Sequence, residues 1–442
     1  MLKPRAEYGL WIAALCAVPT TVFAGPGDQI RAGDAVVSPT LDVATSYRTN
    51  VYRHEESPIP GTAIVLRPGV KVELEGEDVK VEADAGYYLR KYTDPSLSNL
   101  DRYADMEFGG GLSLFPNGRF GLEVDEDFVI KSRESESSST DSALIVHTAN
   151  LTRVLAAFHP GASFQVELGG LFGYDDYNLP ASLNAYLDPN YNSKTTYGPA
   201  LDFKWRFFPR TAFVLDASWR MFDWDDNFVL ASGDNVSGVE DVGDYLGIAD
   251  GNTYQVMTGL RGRFTDRVVL HMLLGYGQAT YDEASVLEAA ASAGVDGSSS
   301  DIDLSEGFGT DLKGFGQGLL ATLQVGWALD EEEVFSLGYE KNFIDSYFTN
   351  FVHYHYGFMR YETMLGSKLA AEVEAGYRLE GFFGEVTRSD QVIHVSGEAN
   401  YSLGRWLSLT VGSRWDRRAS LDGIATVEYD DVNVFAGFVA EY

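Results

Sequence analysis

The stretch Tyr197–Phe207 reads YGPALDFKWRF, and after Phe208, Pro209 and Arg210 the stretch Thr211–Met221 reads TAFVLDASWRM. In the first, the odd positions Leu201, Phe203, Trp205 and Phe207 are apolar, while Asp202, Lys204 and Arg206 between them are charged. In the second, Phe213, Leu215, Ala217 and Trp219 alternate with Asp216, Ser218 and Arg220. Tyr254–Phe264 repeats the pattern: Val256, Leu260 and Phe264 face one way, and Gln255, Arg261 and Arg263 the other. A period of two residues is the signature of a β-strand with unlike faces. Pro209-Arg210 is a tight-turn sequence between two such strands. Long strands with one apolar face and one charged face fit a membrane barrel, in which alternate residues meet lipid and lumen.

The same unit extends in both directions. Short turns are expected at Gly76-Glu77, Pro116–Arg119, His159–Gly161, Pro209-Arg210, Thr265-Asp266, Asp330–Glu332, Gly366-Ser367 and Leu403–Arg405. Longer loops are expected near 53–60, 94–101, 134–142, 178–194, 226–252, 283–314, 344–350, 387–391 and 420–425. Eight turns and nine loops join eighteen strands. An even count places both termini on one side, with the short turns in the periplasm and the long loops outside. Phe120, Phe164, Phe207, Phe213, Phe264, Trp327 and Phe335 all stand beside short turns, as an interfacial aromatic girdle would. The chain ends on alternating Val432, Val434, Ala436, Phe438, Ala440 and Tyr442, which resembles the aromatic-terminated last strand of bacterial outer-membrane barrels. A propeller would need four short strands every 40–50 residues, and a sandwich has no use for aromatics collected at strand ends.

Composition agrees with this reading. The 442 residues carry 65 Asp and Glu against 33 Lys and Arg, a formal net charge of −32, which argues against nucleic-acid binding. Mean hydropathy is −0.13, too low for a polytopic helical membrane protein but no obstacle to a barrel. The first 24 residues read as a secretory leader. Lys3 and Arg5 precede an apolar run over Leu10–Phe23, and Val22-Phe23-Ala24 is a small-x-Ala cleavage site before Gly25. Loss of Lys3, Arg5 and Glu7 takes the net charge from −32 to −33. The only cysteine, Cys16, goes with the leader, and Leu15 before it is too large for a lipoprotein signal. Residues 25–442 are left as one barrel domain in the outer membrane of a Gram-negative bacterium.

Two stretches near the start carry a family likeness. Tyr47-Arg48-Thr49-Asn50-Val51-Tyr52-Arg53 is followed by Leu66-Arg67-Pro68-Gly69-Val70. Together they resemble the opening of the β-barrel porin 2 family of outer-membrane proteins, in which a Tyr-x-x-Asn-hydrophobic-aromatic-Arg stretch precedes an Arg/Ser-Pro-Gly stretch. Arg48 stands where that family often has an acidic residue. The likeness implies a role beside polysaccharide export, with a periplasmic export protein as partner and the polymer in the lumen.

Parity alone sketches the lumen wall. Early strands contribute Arg67, Lys71, Glu82, Asp84, Asp105, Glu107, Glu123 and Asp125. Middle strands contribute Lys204, Arg206, Arg220, Arg261 and Arg263, and late strands Glu372, Glu374 and Arg378. An acidic wall opposite a basic wall sets a transverse field across water. Between Arg220 and Arg261 there are eight carboxylates and no Lys or Arg, and the same holds between Arg267 and Lys313. A short helix is compatible with 285–294. Asp223, Asp225 and Asp226 are hard-oxygen candidates for Ca²⁺, but they lack EF-hand or nonapeptide spacing, so solvated acidic loops are expected and no metal or cofactor is assigned. No GxSxG, HExxH or other catalytic motif occurs. His353, His355 and His394, with Glu380 and Glu398, are the residues an outer-rim acid–base pair would use, and an enzyme is not expected. The expected function is an outer-membrane conduit for a secreted polysaccharide. The alternatives are a diffusion porin for small hydrophilic solutes and a structural or adhesive barrel.

Overall fold

The structure is a computed structural model. It describes residues 29–442 except 54–57, 135–143, 179–192, 226–227, 231–244, 248, 283–317, 331, 346–350, 384–387 and 423–427. The leader, the candidate helix at 285–294 and Asp226 lie outside the described residues.

Eighteen long strands form the chain. They are β1 Ala35–Arg48, β2 Gly61–Glu75, β3 Val79–Tyr92, β4 Arg102–Leu114, β5 Phe120–Glu134 and β6 Leu144–Gly161. Then come β7 Phe164–Asn178, β8 Ser193–Phe208, β9 Thr211–Trp224, β10 Asp250–Arg263, β11 Val268–Asp282 and β12 Leu319–Ala328. The last six are β13 Glu333–Asp345, β14 Phe351–Leu365, β15 Leu369–Phe383, β16 Arg388–Ser402, β17 Leu407–Ser420 and β18 Tyr429–Glu441. Each pairs antiparallel with its neighbours in sequence, and β18 pairs back on β1 from Thr40↔Glu441 to Arg48↔Asn433. The sheet is a closed eighteen-stranded antiparallel barrel. Closure leaves no edge of unpaired backbone groups facing lipid. Strands about 4.8 Å apart and tilted about 40° put the opposite walls of such a barrel about 36 Å apart, too wide for side chains to fill.

Of the expected loops, 94–101 joins two strands as read, 387–391 does not, since β16 already begins at Arg388, and 53–60, 134–142, 178–194, 226–252, 283–314, 344–350 and 420–425 lie wholly or partly outside the described residues. The short turns fall between the strands as read, with one displacement. His159-Pro160-Gly161 is the end of β6, and the turn falls at Ala162-Ser163. Pro160 cannot donate to the ladder, so the β6–β7 register shifts between Phe158 and Gly161 instead of turning there.

The outer face is apolar. Leu168, Leu274, Leu337, Met359, Val373 and Val411 are all at least half exposed. Below them, beside the short turns, stand Phe120, Phe164, Phe207, Phe264 and Trp327, exposed as an interfacial girdle requires. A second group of outward aromatics, Tyr47, Tyr197, Trp219 and Tyr254, lies nearer the loop end on β1 and β8–β10. No helix of the described residues is long and apolar enough to cross a membrane, and the crossing is made by strands.

At the loop end one sector is covered from the lumen side. A short 3-10 helix at Pro95–Leu100 packs Leu97 and Leu100 against Val51, Ala63 and Tyr92. Gly61 is required there: a Cβ would sit 2.7 Å from both Leu97 Cδ1 and Val51 Cγ2. Asp94 caps this helix, its carboxylate accepting from Ser96 N at 2.9 Å and Ser96 Oγ at 2.8 Å. Those hydrogen bonds hold its carboxyl below the usual range.

Candidate channel lumen

Cross-strand register decides which side chains share the lumen. Residues opposite each other in neighbouring strands point the same way. One chain of pairs runs Glu73↔Glu82↔Gly111↔Asp125↔Arg153, and the next Lys71↔Asp84↔Gly109↔Asp127. The alternate chain is Val72↔Ala83↔Gly110, continuing an apolar face. The first two therefore line the lumen, and Lys71, Glu82, Asp84 and Asp125 share one hollow of about 630 Å³ with Glu73 and Arg153. Glu123 lies on the same inner face, two residues before Asp125, and Arg153 crosses to pair with Asp202 on β8.

Arg67 reaches its partner over a glycine. The β2–β3 ladder is interrupted at Arg67 and Pro68, between Leu66↔Leu89 and Gly69↔Gly86. Proline has no N–H for that ladder, so the pairing opens where the arginine leans in. Arg67 then pairs with Glu107 two strands away. A Cβ on Gly86 would stand 3.3 Å from Arg67 Nε and 3.2 Å from Glu107 Oε1, so glycine keeps that path clear.

Asp105 behaves differently from its neighbours in the early group. Only 4% of it is exposed, and its Oδ1 accepts from Ser132 N at 3.1 Å and Ser132 Oγ at 2.6 Å. Its other oxygen lies 3.5 Å from Arg102. It is a strut of the wall, not a group presented to the channel water.

The middle wall is basic. Arg206 and Arg261 both stand opposite Ala212, and Arg261 pairs onward with His271 and Gln324. Lys204 lies one inward row above, opposite Val214, and Arg263 one row below, opposite Val269. Lys204 and Arg206 share a hollow of about 630 Å³ with Arg119, His159 and Gln165. Arg261, Arg263 and His271 share one of about 490 Å³ with Arg267. Lys204, Arg206, Arg261 and Arg263 make no ion pair among the described residues. Arg220 faces inward higher on β9, opposite Thr253 of β10.

The late wall has its charges in pairs. Glu374 accepts from Arg360 Nε at 2.7 Å, accepts from the Tyr356 hydroxyl at 3.0 Å and lies 2.9 Å from His394 Nε2. Glu372 stands 3.4 Å from Arg360. Gly376 lies beneath this group, where a Cβ would sit 2.2 Å or more from the His394 ring and 2.8 Å from that of Tyr356. Nearer the loop end, Arg378 and Arg418 both pair with Glu380, at 3.1 and 2.6 Å, and Arg388 and Arg418 share Asp390 at 3.0 and 2.9 Å. Both guanidiniums of the second pair lie over the Phe382 ring.

The outer-rim acid–base group suggested by the histidines is not assembled. His394 meets Glu374, not Glu380 or Glu398, while Glu398 accepts from Asn400 at 2.7 Å. His355 bonds the hydroxyl of outward Tyr339 at 2.8 Å, with the His353 ring 5.0 Å away. Asp223 accepts from the Tyr197 hydroxyl at 3.4 Å. Among the described residues no three His, Cys, Asp or Glu gather as a metal site. Parity gives the face on which each charged residue stands but misses the partners that cross strands. Arg153 sits between inward Leu151 and Leu155, so alternation gives no sign of it, and the reach of Arg360 and Tyr356 to Glu374 has no sequence period.

The residues of the family likeness have a structural use. Arg48 donates to Asp431 Oδ2 through Nε at 2.9 Å and Nη2 at 2.6 Å, and Asn50 N donates to Asp431 Oδ1 at 3.1 Å. Thr49 N donates to Val432 O, and Thr49 Oγ1 accepts from Val432 N. Tyr47–Asn50 thus fastens the first strand to the last.

No protein-family model matches the chain, and no curated protein does. Solved structures that resemble it include the outer membrane protein OprD. Pseudomonas aeruginosa OprD is 13% identical with a TM-score of 0.44, over 95% of this chain and 98% of that one. Acinetobacter baumannii OccAB3 is 11% identical with a TM-score of 0.46, over 92% and 99%. The FrpB iron transporter of Neisseria meningitidis is 10% identical with a TM-score of 0.47, over 87% and 63%.

Proposed function

We propose that this chain is an outer-membrane diffusion channel for small hydrophilic solutes. The observation that carries the reading is the lumen: a closed eighteen-stranded wall, charged inside, with an unpaired basic sector on β8–β10 set apart from the acidic sector on β2–β5. β9 is six strand steps from β3, a third of the circumference. Water between the two sectors lies in a transverse field that orients dipolar solutes and offers cations and anions separate tracks. Arg67, Lys71, Glu82, Asp84, Glu107, Glu123 and Asp125 form one track. Lys204, Arg206, Arg220, Arg261 and Arg263 form the other. Glu372 and Glu374, paired with Arg360, and Arg378, paired with Glu380, hydrate the remaining wall. Hydroxyl-rich solutes exchange water for such groups without losing hydrogen bonds.

Polysaccharide export ranks second. It rested on the Tyr47–Val70 likeness, and the residues at the core of that likeness are engaged in closing the barrel and pairing Arg67, functions any substrate would share. The test is osmotic swelling of proteoliposomes. Swelling in arabinose and glucose, declining with solute size and absent in a polymeric dextran, supports the diffusion channel. No swelling in small sugars, combined with loss of surface polysaccharide when the gene is deleted, restores the export reading.

A further inference from the structure

We infer that the late wall of the lumen carries a binding track for neutral saccharides, an inference that rests on the diffusion-channel reading and names a solute class for it. Tyr356 and Phe358 of β14 face the lumen. Phe358 stands opposite Gly338 of β13 and Gly376 of β15, in the inward row that continues through Gln324 and His271 to Arg261. The rings lie down on the wall. A Cβ on Gly338 would collide with the Phe358 ring, and one on Gly376 with the rings of Tyr356 and His394. With no side chain beneath them, Tyr356 and Phe358 overlap like shingles, their centroids 5.4 Å apart and their planes 22° from parallel. They are pinned there. The Tyr356 hydroxyl donates to Glu374 at 3.0 Å, and Arg360 Nε fixes the same carboxylate at 2.7 Å. Half-buried rings held flat in this way keep a face toward the lumen and lose little freedom when a solute stacks on it.

Nearer the short turns, the wall opens into a hollow of about 620 Å³ lined by Glu362, Glu372, Glu398, Asn400, Arg414 and Phe435. Its floor is one inward row across five strands, Glu362↔Glu372↔Glu398↔Gly412↔Phe435. Phe435 repeats the device of Phe358: its ring leans over Gly412, where a Cβ would collide with it. Donors stand among the carboxylates. Arg360 lies 3.4 Å from Glu372, Asn400 donates to Glu398 at 2.7 Å, and Arg414 is held by Asp416 at 2.7 Å.

The chemistry of this wall names the solute. Ligand sites combine aromatic faces with a few placed polar groups, and both are here. A hydroxyl donates one hydrogen bond and accepts others, so two vicinal hydroxyls fit a carboxylate standing beside an amide or a guanidinium. The carbon–hydrogen face of a pyranose fits an aromatic ring. Glu372 and Glu398 already have fixed donors beside them, so they serve as acceptors more than as free charge. An anion would meet the three carboxylates of the row, and a simple cation would have no use for Arg360 and Arg414. A neutral sugar uses the rings, the acceptors and the donors together.

The experiment is current block in planar bilayers. Native barrels conducting KCl are titrated with maltotriose and with cellotriose, and with a polyethylene glycol of equal hydrodynamic radius as the size control. At least one trisaccharide is expected to lower the conductance saturably. Its half-saturating concentration is expected to be the same in about 0.1 M and about 1 M KCl, since a neutral solute is not screened. The polymer is expected to lower the conductance without saturation. Phe358→Leu and Phe435→Leu keep apolar bulk and remove a ring, and each is expected to raise the half-saturating concentration about tenfold. Phe358→Tyr restores a ring and is expected to stay within about threefold of the native value. Retained heat-modifiable migration shows that each variant is folded, and the two leucine variants, on different strands, test the rings independently. A native barrel that conducts KCl without saturable block by either trisaccharide overturns the track and leaves the channel reading standing, whereas a barrel that passes no current overturns both. Saturable block by the polymer, or half-saturation unchanged in the folded leucine variants, also overturns the track.

Discussion

At the scale of single residues, burial separates charges that hold the wall from charges that face the water. Asp431 and Arg48 are buried together at the seam, with side chains 2% and 10% exposed. Removing one partner leaves the other buried and uncompensated, a loss of about 3–5 kcal/mol in comparable pairs. Asp431→Ala is therefore expected to destabilise the folded barrel by about 3 kcal/mol in urea titrations in detergent. The double replacement Arg48→Leu/Asp431→Leu is expected to recover most of it, since both charges are gone. Lys204, Arg206, Arg261 and Arg263 are the opposite case. They are unpaired and wet, so their effect on stability is small and their effect on ions is large. Their charges are screened beyond about 10 Å at 0.1 M salt and about 3 Å at 1 M. Any ion preference they impose is expected to fade between those concentrations.

At the scale of elements, each strand is a boundary between lipid and water, and a step of one residue crosses it. Val256 and Gln255 on β10 make the comparison directly, since Val256 is 43% exposed on the outer face and Gln255 points inward. Val256→Arg is expected to destabilise by about 2–4 kcal/mol, and Gln255→Arg by much less, in the same unfolding assay. The covered sector at the loop end carries a pH dependence. Because Asp94 has its carboxyl held low by Ser96, the cap is complete above the carboxyl's unfolded value near 3.9 and is lost as pH falls through the lowered folded value. Proteolysis of the 93–101 loop is expected to accelerate in that acid range, and Asp94→Asn is expected to abolish the acceleration.

Much of this level was legible in the sequence, because the barrel's physics is written with period two. Alternation in Tyr197–Phe207 and Thr211–Met221 places β8 and β9 and their inner faces without further help. His159-Pro160-Gly161 has the composition of a turn but serves as a bulge, and the chain turns after it at Ala162-Ser163. The strut role of Asp105, the bridge from Arg67 over Gly86 to Glu107, and the Glu374 cluster were not legible. Each depends on register between strands, and register depends on where turns close, not on the residues of one strand.

At the scale of the whole molecule, the barrel joins two designs. A belt of apolar side chains with aromatic rims holds it in the membrane, and a ring of charged sectors faces its water. The acid excess of the chain sits partly in the long loops and partly on the early strands, so the basic sector near the short-turn mouth is a local exception to a negative molecule. That exception gives the channel its most direct test. The measurement is the reversal potential of single channels in planar bilayers under a tenfold KCl gradient at low salt, for the native barrel and for Lys204→Glu/Arg206→Glu/Arg261→Glu/Arg263→Glu. The expected result is a conducting pore in both, with the variant's reversal potential displaced toward the cation limit and the two converging near 1 M salt. A folded native barrel that passes no current, or a variant whose reversal potential equals the native one at low salt, would contradict an open lumen whose wall charges meet the passing solute.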